Sequence, residues 1–96
     1  VTGRGEAVEN EQGWAWECDP SRIWVLGEMA DEHQALVSGV MDGLVDLASM
    51  GIDPKTGSLY EDPAPMRLRT YEDERLMVWY QTIRHRHRVY LKRVNL

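Results

Sequence analysis

Several residues in this sequence have the chemistry to hold a charged ligand. Arg67 and Arg69 stand two apart in "MRLRTY". An alternating strand would send Met66 and Leu68 one way and both guanidinium groups the other. Two such groups about 7 Å apart along a strand repel each other unless an anion or an acidic partner lies between them. Phosphate suits that place, because the guanidinium fork binds it through two hydrogen bonds at once. Further on, "QTIRHRHRVYLKRV" gathers Arg84, His85, Arg86, His87 and Arg88 ahead of Tyr90 and Lys92. With Val89 and Leu91 turned into a core, Tyr90 and Lys92 share the outer face. An aromatic ring beside a cation is what single-stranded RNA requires, the ring for stacking and the cation for phosphate. Each group also has a plainer reading. Arg67 and Arg69 suit a solvated strand face paired to Glu72 or Asp73. The run from Arg84 to Arg88 suits a hairpin turn whose charges keep the edges soluble.

Other chemistry finds little support. His33, His85 and His87 are the histidines, and no Cys or carboxylate adjoins the last two to complete a metal site. Ser21, Ser38, Ser49 and Ser58 lie outside any nucleophile elbow, and no glycine-rich phosphate loop occurs. Neither a metal nor a cofactor is expected. Cys18, the single cysteine, rules out an internal disulfide and fits a reducing cytoplasm. It falls in the apolar phase of a strand, where cysteines are usually inert.

The charge of the chain is divided along its length. The formal net charge is −5 over 96 residues. Residues 1–62 hold three basic against thirteen acidic side chains, a balance of −10, and residues 63–96 hold eight against three, a balance of +5. A low overall pI therefore does not argue against an anionic ligand, because a local basic face is what attracts phosphate. The acidic helical residues Glu28, Asp31, Glu32, Asp42 and Asp46 read as a solvated surface. No apolar run reaches the length of a membrane span, and the opening "VTGRGEAVENEQG" has no apolar centre for a secretory signal. A cytoplasmic protein is expected.

The elements that must position these residues follow from periodicity. Residues 1–12 read as a flexible tail and 13–96 as one domain. "WAWEC" alternates, with Trp14, Trp16 and Cys18 on one side. "DPSR" predicts a helix capped by Asp19 with Pro20 at its first position, followed by Ile23, Trp24 and Leu26 facing a core. Asp31 is expected to cap a second helix of about five turns, striped by Leu36, Val37, Val40, Met41, Leu44, Leu47 and Ala48. Gly51 and Pro54 end it. A Pro-rich loop and three strand-like runs follow: "MRLRTY", "RLMVWYQTI" and "VYLKRV". The order predicts an α+β domain: an N-terminal strand, a helical hairpin, then a three-stranded antiparallel meander, with the helices on one face of a small sheet.

This order and several local strings resemble the RelE/ParE superfamily of bacterial toxin–antitoxin toxins. "WAWECDPSR" looks like its first strand running into a helix through Asp-Pro, and "WYQTI" is close to its central-strand string. The likeness covers residues 14–96. It implies a ribosome-dependent mRNA interferase of the RelE type that inhibits translation and is held by a cognate antitoxin. In such enzymes basic side chains on the sheet bind mRNA and offset the charge developing on phosphate. Carried over, Arg67 and Arg69 match the paired basic positions, and Arg75 matches a further arginine, with Met77 there instead if no gap is allowed. Tyr90, Lys92, Arg84 and Arg86 become the RNA-binding set. Family members usually continue to a terminal Tyr or His, whereas this sequence stops at "RVNL". That leaves His85, His87 or Tyr90 as proton carriers, and it leaves open a ParE-like or catalytically degenerate protein that acts only by binding gyrase or an antitoxin.

Overall fold

A computed structural model describes residues 8–52 and 68–96. Strand β1 (Ala15–Cys18) leads into the single-turn helix α1 (Arg22–Leu26) and the long helix α2 (Asp31–Ser49). Strands β2 (Arg69–Glu72), β3 (Met77–Ile83) and β4 (Arg88–Asn95) follow, with a 3₁₀ turn at Arg84–Arg86. The class is α+β, as its sequence implies. Among the described residues the sheet has four strands, in the order β1-β4-β3-β2. The meander β2-β3-β4 is antiparallel, and β1 joins it in parallel along β4, so the sheet is mixed.

Helix α2 covers the sheet because its apolar residues fall on one stripe. Val37, Met41, Leu44, Val45 and Ala48 are buried, at steps of three, four and one. Leu36, Val40 and Leu47 flank them half-buried. Against this stripe the sheet presents Val78, Tyr80, Val89 and Leu91, all buried. Burying one such side chain contributes about 1.5–3 kcal/mol, so α2 is held by tertiary contact more than by propensity. The helix ends as a Schellman motif: Gly51 takes φ 73°, Gly51 N–H donates to Ala48 O at 3.0 Å, and Ile52 N–H to Leu47 O at 2.9 Å. Pro54, expected beyond it, lies outside the described residues.

Helix starts differ from expectation. Ser21, not Asp19, caps α1, its hydroxyl accepting from Trp24 N–H at 3.1 Å. Asp19 is turned to Lys92 instead. The expected helical hairpin shrinks accordingly to one turn of α1 before α2. Within that turn only Leu26 is buried. Ile23 and Trp24 are 82% and 77% exposed. Ala30 occupies the cap position of α2 without a side-chain bond, and Asp31 and Glu32 lie in its first turn, where the helix dipole favours negative charge. Ala15, expected on the outer side of β1, is buried together with Trp14. In the segment read as a tail, Asn10 to Gly13 make a turn, with Gly13 N–H donating to Asn10 O at 2.9 Å.

The largest departure concerns β2. Arg69 lies opposite Tyr80 and Tyr71 opposite Val78. Directly paired residues share a face, so Arg69 and Tyr71 turn toward the helix side, while Leu68 is 55% exposed. This phase is the reverse of the one that alternation of Met66 and Leu68 suggested. Tyr71 sets it by packing on the core, and its hydroxyl donates to Asp73 at 3.1 Å. A slip of one residue inverts every side chain of a strand.

Candidate functional site

The face of the sheet away from α2 carries the residues that alternate with the core. Trp79, Gln81 and Ile83 of β3 stand beside Arg93, Tyr90 and Arg88 of β4 in register. Glu17 of β1 lies next to Tyr90. The Arg93 guanidinium sits over the Trp79 ring, 5.0 Å from its centroid, a cation–π contact across the strand pair. The ladder slips between Trp79 and Tyr80, where Lys92 is the additional residue.

At the hairpin end of this face a shallow cleft is lined by Asp19, Gln81, Ile83, His85, Arg86 and Tyr90. Local geometry builds it. Ile83 pairs with Arg88, and the four residues between them close the hairpin through the 3₁₀ turn. His87 ends that turn in the left-handed conformation at φ 54°, its N–H donating to Arg84 O at 3.1 Å. Arg84, His85 and Arg86 are left exposed at the tip. The hairpin reading of this stretch therefore describes its backbone, while the cleft gives three of its neighbours a common place.

Of the expected ligand-binding residues, the structure brings Tyr90 and Arg86 together, with His85 beside them. Arg84 stands at the same tip. Lys92 is near but engaged, forming an ion pair with Asp19. Arg75 does not open β3; it lies in the β2–β3 turn and pairs with Asp73 at 2.7 Å. Asp73 Oδ1 also accepts from the backbone N–H of Arg75 at 2.8 Å. The Arg75 side chain, with that backbone bond, holds the Asp73 carboxyl well below the usual carboxylate range. Arg69 is half-buried on the helix side of β2, away from the cleft, and Arg67 lies outside the described residues.

Arg88 has become structural. Its guanidinium donates to Glu9 at 2.6 Å, Glu17 at 2.9 Å and Gly13 O at 3.2 Å. Hydrogen bonding to Glu9, followed by that to Glu17, raises its pKa further. His87 stacks on Trp14, ring centroids 5.1 Å apart and planes 13° from parallel. The two neighbouring histidines thus do different things, and the described residues contain no group of three potential metal ligands. Burial pushes the Cys18 thiol up, with Arg22 pulling weakly the other way.

Asp19, Gln81 and Ile83 were not anticipated as part of a site. The sequence offered Asp19 as a cap. Only the parallel seam between β1 and β4 carries it to the cleft. Among the described residues no helix is long and apolar enough to cross a membrane.

Among the described residues these features define an α+β domain with one sheet face covered by α2 and the other left open, the open face ending in an aromatic and basic cleft. Comparison with protein-family models, with curated proteins and with solved structures finds no match.

Proposed function

We propose that the protein is a translation-inhibiting toxin of the RelE/ParE kind, working on single-stranded RNA at the hairpin-end cleft. The observation that carries this reading is the grouping of His85, Arg86 and Tyr90 around one depression. The Tyr90 ring offers a base something to stack on, and Arg86 offers phosphate a cation. The His85 imidazole is a proton carrier for a ribose 2′-hydroxyl. That oxygen would attack the adjacent phosphorus, the 5′-oxygen would leave with a proton, and a 2′,3′-cyclic phosphate would remain. The element order from "WAWEC" to "VYLKRV" supports the family likeness. A cognate antitoxin that covers the cleft belongs to the same reading, as does a cytoplasmic location.

A second reading has its own observation. Arg75, Arg88 and Lys92 are each held by a carboxylate, which reduces the charge available to RNA. That arrangement favours a ParE-like protein that grips a protein target such as gyrase without cleaving anything.

The deciding experiment adds the purified protein to cell-free translation and maps mRNA 5′ ends. Discrete ribosome-dependent cuts that disappear in His85→Ala/Arg86→Ala are expected. Cuts lost only in Arg67→Ala/Arg69→Ala would move the chemistry to those two arginines. Intact mRNA with unimpaired translation would sink the nuclease reading, and inhibition of gyrase supercoiling would then establish the second.

A further inference from the structure

Among the described residues, strand β1 forms one edge of the sheet, with β4 on one side only. Ala15 and Asp19 direct their N–H groups to β4, donating to His87 O at 3.1 Å and Leu91 O at 3.0 Å. Along an extended chain the alternate residues point the other way, so the N–H and C=O groups of Trp16 and Cys18 face outward. Trp14 shares their phase, and the chain itself satisfies it. Asn10 Oδ1 accepts from Trp14 N–H at 2.9 Å, and Asn10 N–H donates to Trp14 O at 2.7 Å. Among the described residues nothing does the same for Trp16 and Cys18. An edge left open in this way is a template for another strand.

What lies beside the edge gives the missing strand a chemistry. A groove runs along it, with Pro20 and Arg22 at one end and Ser38, Asp42, Val45 and Asp46 of α2 as a wall. Asp42 accepts from the Trp16 indole N–H at 3.1 Å, and no described cation pairs with Asp42 or Asp46. On the opposite rim Glu9 and Glu17 share one described cation, Arg88. The groove thus combines open backbone groups, an apolar strip of Trp16 and Val45, and an excess of carboxylates.

We infer that β1 takes up an extended, basic segment of a partner protein as an additional strand of the sheet. Lys or Arg at alternate positions would lay their stems along Trp16 and Val45 and set their charges at Asp42 and Asp46. β-branched residues between them would lie on the open face beside Ala15 and Glu17. A second copy of this chain fits poorly, because its own edge would bring carboxylate against carboxylate. This surface is independent of the cleft: its ligand is a protein of positive charge, where the cleft would take an anion.

The test uses the whole chain and an eight-residue peptide of alternating Lys and Val, capped at both ends. Amide exchange at Trp16 and Cys18 is followed by NMR. Saturable slowing of both amides, by roughly tenfold or more, is expected. A Glu–Val peptide and a Lys–Val peptide methylated on its backbone nitrogens should give none. Asp42→Asn/Asp46→Asn, which keeps an acceptor for Trp16, should weaken binding by about three- to tenfold. The inference is overturned by an absence of protection, by equal protection from both charge types, or by protection that survives backbone methylation. It is overturned too if the amides are already slow in the free protein, since sedimentation would then assign the edge to a second copy (dimer) or to the chain itself (monomer).

Discussion

Arg88 and Glu17 sit diagonally across the parallel seam of the sheet, Arg88 Nε donating to Glu17 Oε2 at 2.9 Å. The same guanidinium reaches Glu9 and the Gly13 carbonyl. One side chain therefore ties the acidic start of the chain to its basic end. Arg88→Ala should destabilise the fold by about 1–2 kcal/mol, the ion pairs being partly exposed. Arg88→Lys should recover less than half of that, because a single ammonium cannot reach acceptors set this far apart. Urea unfolding at neutral pH measures both, with an unchanged slope if the native state is otherwise intact.

The Lys92–Asp19 pair is more open to water, its side chains 32% and 44% exposed. A double-mutant cycle with Lys92→Met and Asp19→Asn should give a coupling below about 1 kcal/mol. That coupling should shrink further at 0.5 M salt, where screening is strong. A larger, salt-insensitive coupling would show the pair to be far less solvated than its exposure indicates.

Thr82 is 1% exposed, and its hydroxyl oxygen has no hydrogen-bond partner among the described residues. Thr82→Val replaces that hydroxyl with a methyl group of similar size. Stabilisation by about 1 kcal/mol is expected from denaturant midpoints. A loss instead would mean that the hydroxyl is satisfied.

Acid should reach the β2–β3 turn late. The Asp73 carboxyl is held low by Arg75, so its contribution is complete above the unfolded carboxylate pKa of about 3.9. It is lost as pH falls below that value through the still lower folded one. Denaturant midpoints measured from pH 6 to pH 2 should drop below about pH 4. In Asp73→Asn that fall should be smaller, from a lower starting stability.

Helix α2 carries Gly39 and Gly43, both exposed, with nothing within 4 Å of an added Cβ. Each change to Ala should stabilise by about 0.5–1 kcal/mol through helix propensity alone. Trp24→Ser, by contrast, should shift stability by no more than about 0.5 kcal/mol, whereas Leu91→Ala should cost about 2–5 kcal/mol. Thermal or urea unfolding separates the three.

Part of this architecture is written in local pattern. The α2 stripe repeats every turn, so one face was bound to be buried whatever covered it. β3 is apolar nearly throughout because it lies inside the sheet, and the basic run after it closes a hairpin between neighbours in the chain. The rest depends on contacts between distant segments. The phase of β2 depends on which of two alternating sets meets Val78 and Tyr80, and Leu68 and Tyr71 each argued for a different one. α1 is too short for periodicity to orient it, so Trp24 faces water. The charge division, legible as two opposed halves, is bridged where β1 lies along β4, by Arg88 with Glu9 and Glu17 and by Lys92 with Asp19. Glu17 meets Arg88 from 71 residues away. No window of sequence records a pairing at that separation, because it is fixed by the register of a sheet and not by the composition of either strand.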